Sequence, residues 1–224
     1  MVKQHTVVQN DAVEELRRLH KHLKWEIENR LKEFEEIWES GSDDDIFHEL
    51  VFCLLTPQSK AKSCFGAVTS LIDDDTLLSG NVKEIAKTLK GKVRFHNNKS
   101  KHIVLARQRF THNGRIRIRH VIADINNPFE AREWFVRNIK GMGYKEVSHF
   151  LRNIGLGENL AILDRHILKN LVLLAVIEEI PASISRKRYL EIEAEMKKFA
   201  ENIKIPMTHL DLLLWYMETK EIFK

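Results

Sequence analysis

Cysteine is nearly absent from this 224-residue sequence: Cys53 and Cys64 are the only two. Two thiols cannot build a disulfide framework, a four-thiolate zinc site or an iron–sulfur cluster, and so few suit a reducing, cytoplasmic compartment. Long apolar runs are missing as well. No stretch approaches the roughly 20 residues that a helix needs to cross a bilayer. The opening MVKQHTVVQND has no apolar signal-peptide core, so no membrane partner is expected. Histidine offers no substitute metal centre, because His96, His102, His112 and His120 provide no helical i, i+4 metal pair with an acidic partner. Asp43–Asp45 and Asp73–Asp75 fall at expected helix ends, where capping and solvation account for them, and Cys53 and Cys64 read as small core residues. No metal and no organic cofactor is implied.

What is present is a core-forming composition, 43% hydrophobic and 30% charged. That excludes a disordered chain and suffices for one large domain or two small subdomains sharing a cleft. The net charge of +4 hides an uneven distribution. Between Lys90 and His120 stand ten cations (Lys90, Lys92, Arg94, Lys99, Lys101, Arg107, Arg109, Arg115, Arg117 and Arg119) and not one Asp or Glu. Between Glu26 and Leu50 the balance reverses, with ten acids against Arg30 and Lys32. A one-sign stretch of this length points to a polyanion such as nucleic acid; a solvated helix face is the other source of such a run.

Helical periodicity dominates, and the expected fold class is all-α. Leu16, Leu19, Leu23, Ile27, Leu31, Phe34 and Ile37 predict one long helix over 12–40. Gly41-Ser42 ends it, and Asp43, Asp44 and Asp45 supply a cap and first-turn charge for a helix to Leu55. Further helices are predicted over 59–72, 82–89, 100–111, 128–138, 144–154, 164–176, 185–201 and 206–220. Arg115–Ile125 alternates apolar and polar residues, but no second strand of similar quality exists to pair with it, so it is read as extended or loop-like.

Four of the nine glycines, Gly141, Gly143, Gly155 and Gly157, crowd into 17 residues, which marks backbone that needs positive φ or close approach. In Asn138-Ile-Lys-Gly141-Met-Gly143-Tyr144-Lys145 one helix ends, a G-x-G turn follows and a second helix starts. The turn lets a phosphate approach the free N–H groups and positive dipole end of that helix. Lys145 sits in its first turn, where the dipole disfavours a cation, the condition an amine nucleophile requires. Nineteen residues on, in Leu160-Ala-Ile-Leu163-Asp164-Arg165-His166, Asp164 is placed to cap a third helix and to set a carboxylate at the mouth of a cleft. A solvated helix lysine and a plain capping aspartate satisfy the same pattern.

Together these residues resemble the helix–hairpin–helix/Gly-Pro-Asp superfamily of DNA glycosylases. Gly141-Met142-Gly143 matches the hairpin, Lys145 the Schiff-base lysine and Asp164 the catalytic aspartate. The sequence departs from that pattern in lacking an evident Gly-Pro, in having Lys140 where proline is common, and in lacking cluster cysteines. Leu54-Leu-Thr-Pro-Gln58-Ser59, Val93-Arg-Phe95-His-Asn-Asn-Lys99 and Asp211-Leu-Leu-Leu-Trp215 with the terminal Lys224 are most similar to the compact archaeal-type 8-oxoguanine DNA glycosylase/AP lyase branch.

The resemblance implies two helical subdomains (1–50 with 166–224, and 51–165, the hairpin at 138–155) flanking a DNA cleft. It implies a monomer acting on double-stranded DNA that contains oxidised guanine, cytoplasmic and associated with the nucleoid of a prokaryote. The expected activity is base excision through a lysine Schiff base followed by β-elimination. Catalysis falls to Lys145 and Asp164. Base recognition falls to Lys224 and Trp215, with Phe95 either a second stacking face or a plug for a small core. DNA-backbone contact falls to Gly141, Gly143, Tyr144, Lys99 and Gln58. A same-fold glycosylase for another base and a non-catalytic DNA-binding module are the alternatives.

Overall fold

The computed structural model describes residues 2–125 and 127–223. Among these, the chain forms twelve helices and one two-stranded ribbon, so the all-α expectation holds. Helix α1 (Val2–Glu39) is one uninterrupted helix that buries Leu16, Leu23, Ile27 and Phe34 along one stripe. Helix α2 (Asp43–Leu55) begins at a capping box: the Asp45 N–H donates to the Ser42 hydroxyl at 3.1 Å, and the Ser42 N–H donates to the Asp45 carboxylate at 2.8 Å. The cap is therefore Ser42, and the three aspartates fill the first turn. Helices α3 (Ala61–Asp73), the single-turn α4 (Thr76–Ser79), α5 (Val82–Leu89) and α6 (His96–Phe110) follow.

The alternating segment after α6 departs from its expected extended form. Thr111–His112 (β1) pairs antiparallel with Arg115–Ile116 (β2) across Asn113-Gly114, both at positive φ (49° and 75°), the hairpin chemistry of an Asn-Gly turn. Beyond it, Ile118 and Ile122 are buried four residues apart on a short helix, α7 (Ile118–Ala123). The apparent twofold alternation concealed a helical spacing.

Helices α8 (Pro128–Asn138), α9 (Tyr144–Asn153), α10 (Arg165–Leu173), α11 (Arg186–Ile203) and α12 (Met207–Thr219) complete the chain. Ser185 and Asp164 cap α11 and α10, and Asn127 with Pro128 opens α8.

Two apolar cores result. One gathers residues between Ile46 and Leu160, centred on Phe52, Leu54, Phe135 and Phe150. The other joins α1 to the C-terminal helices through Leu16, Ile27, Leu171, Ile192, Met196 and Leu213. Ile46, Phe47 and Leu50 side with the first core, and Ile37 and Trp38 at the end of α1 pack against it, so the cores divide within α1 rather than near residue 50, and divide again between Leu160 and Ala161. Full burial of one such side chain is worth about 1.5–3 kcal/mol.

The cores are joined by buried charge. The Arg132 guanidinium on α8 grips the Glu193 carboxylate on α11 with paired bonds of 2.6 and 2.7 Å. Glu193 also accepts the Ala161 N–H at 2.7 Å. Arg132 lies over the rings of Tyr144 and Tyr189. Removing one partner of such a pair strands the other charge. Arg132→Met is therefore expected to lower the unfolding free energy by about 3–5 kcal/mol in urea titration, and Arg132→Met/Glu193→Leu to recover part of that loss. A double variant as unstable as the single would contradict the pairing argument.

Candidate active site

The turn between α8 and α9 is built on Gly141, at φ 93°. A Cβ there would stand 2.3 Å from the His102 imidazole, so both the backbone conformation and the close approach require glycine. Burial, and then the charge of Lys140, hold the His102 imidazole below its ordinary pKa. Gly143 is the N-cap of α9, and its N–H donates to the Glu146 carboxylate at 3.1 Å. The other Glu146 oxygen lies 3.2 Å from the Lys145 ammonium. Lys145 Nζ also reaches the Thr56 hydroxyl at 3.5 Å. One carboxylate thus ties the hairpin to the expected nucleophile.

Asp164 caps α10 as expected, accepting the His166 and Ile167 N–H groups at 2.8 and 2.9 Å through one oxygen. Lys145 and Asp164 line the same cavity of about 940 Å³, which lies where the two cores meet. Its walls come from the 56–62 segment, α9, the 162–167 turn and α12 with the tail that follows it. Trp215 is half-buried on that wall, edge-on to His166 with ring centres 5.3 Å apart. Gln58 is exposed at the rim in a left-handed conformation, φ 53°. Lys145, Asp164, Trp215 and Gln58 are thus brought to one cleft.

Sequence reasoning missed Asp211 and Arg152, both buried and both lining this cavity. Their closest charged atoms are 3.8 Å apart. Burial raises the Asp211 carboxyl to about 6, with Arg152 opposing and the Asp164 charge adding to the rise. The signal for Asp211 was available: a lone acid inside the apolar Leu210–Trp215 run, one turn before Trp215 on the same face. Glu146 and Thr56 were also passed over, and nothing in their spacing marks them.

Other expectations are corrected. Lys99, expected on the DNA backbone, is only 4% exposed. Its ammonium donates to the Leu55 and Pro57 carbonyls at 2.7 and 2.8 Å and to the Ser59 hydroxyl at 2.9 Å, which leaves no N–H for a phosphate. The Tyr144 hydroxyl donates to Glu133 at 2.6 Å and accepts from Arg186 at 2.7 Å, with its ring beside that of Tyr189, so only its backbone N–H, at the start of α9, is left for the expected contact. Phe95 is 52% exposed, at φ 56° with the Arg94 guanidinium over its ring, and lies outside the cavity wall. It therefore plugs no core. Lys224 lies outside the described residues.

The basic stretch also divides. Lys90, Lys92, Arg94, Lys101, Arg109, Arg115 and Arg117 are exposed. Arg107 instead donates to the Leu77 and Gly80 carbonyls at the end of α4, and Arg119 to the Trp38 and Gly41 carbonyls at the end of α1. Cations at helix C-termini are favoured by the dipole and satisfy carbonyls the helix leaves open.

The G-x-G hairpin thus stands beside a lysine and an aspartate that line one cavity, the arrangement implied by the resemblance to the helix–hairpin–helix class of DNA glycosylases. Comparison with known proteins narrows the class. The profile of the family described as 8-oxoguanine DNA glycosylase matches residues 27–205. A protein of Fusobacterium nucleatum named 8-oxoguanine DNA glycosylase/AP lyase is 49% identical over 96% of this chain and 99% of its own. The crystal structure of the 8-oxoguanine DNA glycosylase of Thermotoga maritima superposes with a TM-score of 0.85 at 34% identity, covering 96% of this chain and 100% of that one. The Methanocaldococcus jannaschii 8-oxoguanine glycosylase/lyase, crystallised with a 15mer DNA containing 8-oxoguanine, gives 0.85 at 35% identity, covering 95% and 99%. The chain belongs to the 8-oxoguanine DNA glycosylase family. No helix among the described residues is long and apolar enough to cross a membrane.

The buried Asp211 sets a pH dependence. Its folded carboxyl titrates at about 6, against about 3.9 for an ordinary aspartate. Between those values the folded protein holds more protons than the unfolded chain, so this group makes stability fall as pH rises from about 4 to about 6. Asp211→Asn is expected to flatten that part of the profile in thermal unfolding across the window. An unchanged slope would place the titration elsewhere.

Proposed function

We propose that this protein excises 8-oxoguanine from double-stranded DNA and then cleaves the strand at the abasic site. The observation that carries this reading is the convergence of Lys145 and Asp164 on one cavity, directly behind a glycine hairpin able to approach a phosphate. The crystallisation of a similar protein with DNA containing 8-oxoguanine supports the choice of lesion.

Exposed cations such as Arg94 and Lys101 meet phosphates, as do the open N–H groups of the first turn of α9, and the lesion nucleotide turns out of the stack into the cavity. Trp215 offers the extruded base an aromatic face, and Asp211, beside it on the wall, offers polar oxygens that a base edge can meet. The lesion differs from guanine by an N7–H donor and an O8. A wall acceptor for that N–H leaves guanine with an unmet partner, which is where strong discrimination arises.

Lys145 must first lose a proton, and the Glu146 oxygen 3.2 Å away is positioned to receive it. The amine lone pair then forms a bond to C1′ as the C1′–N9 bond breaks and its electron pair leaves with the base. The sugar carries developing positive charge during this step, and the Asp164 carboxylate, held by two backbone N–H groups, faces it across the cavity. Ring opening gives a protonated Schiff base on Lys145. That iminium acidifies C2′, and loss of its proton expels the 3′ phosphate by β-elimination. These steps call on side chains alone. The protein is read as a monomer acting on the nucleoid in the cytoplasm.

Borohydride trapping on a duplex with one 8-oxoguanine tests the reading. The parent is expected to give a covalent adduct, Lys145→Gln none, and Asp164→Asn an adduct formed about 10²–10³-fold more slowly. Base release without trapping by the parent would favour a glycosylase without lyase chemistry. Neither release nor trapping across a lesion panel would leave a DNA-binding module. Deleting Lys224 is expected to narrow the preference for 8-oxoguanine over guanine, and an unchanged ratio of excision rates would remove the terminal residue from base recognition.

A further inference from the structure

The three acceptors of the buried Lys99 are close in sequence: the Leu55 carbonyl at the end of α2, the Pro57 carbonyl and the Ser59 hydroxyl. They span the segment whose residues Thr56–Lys60 form one wall of the cavity. The Leu55 carbonyl also accepts the Cys64 thiol at 3.1 Å, and the Ser59 hydroxyl accepts the Arg94 N–H at 3.0 Å. Lys99 thus stands at the centre of a knot joining α2, the 56–60 segment, α3 and the start of α6.

Two features of that segment need such a hold. Thr56 donates its hydroxyl to the Cys53 carbonyl at 2.8 Å, which turns its oxygen lone pairs toward the Lys145 ammonium 3.5 Å away. Gln58 is a non-glycine residue in the left-handed region, φ 53°, a conformation that persists only where the surroundings enforce it. Lys99 meets an opposing force as well. Burial lowers its affinity for a proton, and the nearby Lys145 charge adds to that effect. An apolar side chain would fill this space without the desolvation cost of a charge, but it would not gather three oxygens.

We propose that Lys99 is a positioning residue for the Schiff-base chemistry. Acting through Thr56 and the backbone of 56–59, it fixes the cavity wall against which the Lys145 amine is set, and it makes no contact with DNA. This rests on the reading of Lys145 as the nucleophile.

The test compares Lys99→Met, Lys99→Arg, Ser59→Ala and Thr56→Val with the parent. It measures single-turnover borohydride trapping under saturating lesion duplex, the salt dependence of binding to that duplex, and thermal unfolding. Lys99→Met is expected to slow trapping on the order of 10- to 100-fold, the effect of misplacing a reacting group by about an ångström, with binding affinity held. The slope of log affinity against log salt is expected to stay that of the parent, since one lost phosphate contact would reduce it by about 0.9. Lys99→Met/Thr56→Val is expected to be no slower than the slower single variant, because the two act through one contact.

A reduced salt slope, or multiplicative losses in the double variant, would overturn the proposal, as would trapping at the parental rate. If Lys99→Met does not fold, Ser59→Ala and Lys99→Arg carry the same expectation of several-fold slower trapping at unchanged slope, and parental rates in both would overturn it. Lys145→Gln separates the two readings. Trapping that survives it defeats the nucleophile assignment, whereas trapping abolished by it but indifferent to Lys99 and Ser59 defeats only this inference.

Discussion

The burial of α9 is the constraint on which the site depends. Beyond its first turn, every residue of this helix from Val147 to Asn153 is buried, and both cores close around it. A helix enclosed on all sides must still place its polar side chains. Ser148 accepts from Arg132 at 3.1 Å, Arg152 faces Asp211, and Asn153 donates to Glu49 at 2.9 Å. These contacts run to α8, α12 and α2, so α9 is fixed against both halves of the molecule. Its first turn carries Lys145 and Glu146 to the cleft, and the buried His149 and Arg152 line the same cavity farther along the helix. An amine on a helix anchored in this way starts near its reacting position, with little freedom left to lose.

The same logic accounts for the cations that vanish from the surface. A chain made of many short helices leaves many C-terminal carbonyls without partners. Lys99, Arg107 and Arg119 meet those of α2, α4 and α1. Each combines a favourable interaction with the dipole and hydrogen bonds that water would otherwise supply. The run of positive charge between Lys90 and His120 therefore has two causes: an exposed face suited to phosphates, and internal capping. Charge sign alone does not separate them.

That distinction marks how far the sequence could be read. Helix periodicity located nearly all the long helices, because one buried stripe per helix leaves a pattern in hydrophobicity. The hairpin was legible because Gly141 occupies a backbone conformation and a contact distance that exclude other residues. The spacing of Lys145 and Asp164 was legible through one intervening helix. What escaped depends on long-range contact. Lys99 finds its acceptors some 40 residues away, and nothing local distinguishes it from the exposed Lys101 two residues on. Phe95 sits in an exposed left-handed turn outside the cleft wall. The ribbon at 111–116 carried a local Asn-Gly signal, but its strands are two residues long, too short for a pattern of alternation. Asp211 was a visible anomaly whose meaning emerged only once Arg152 and Asp164 stood beside it.

The central claim is that the amine of Lys145, presented by the buried helix, is the group that bonds to the sugar. Reducing the intermediate with borohydride, digesting the trapped complex and locating the modified lysine by mass spectrometry addresses this without any substitution. The account predicts the deoxyribose remnant on the peptide containing Lys145 and on no other. A remnant on Lys62, Lys99 or another amine, with Lys145 unmodified, would contradict it.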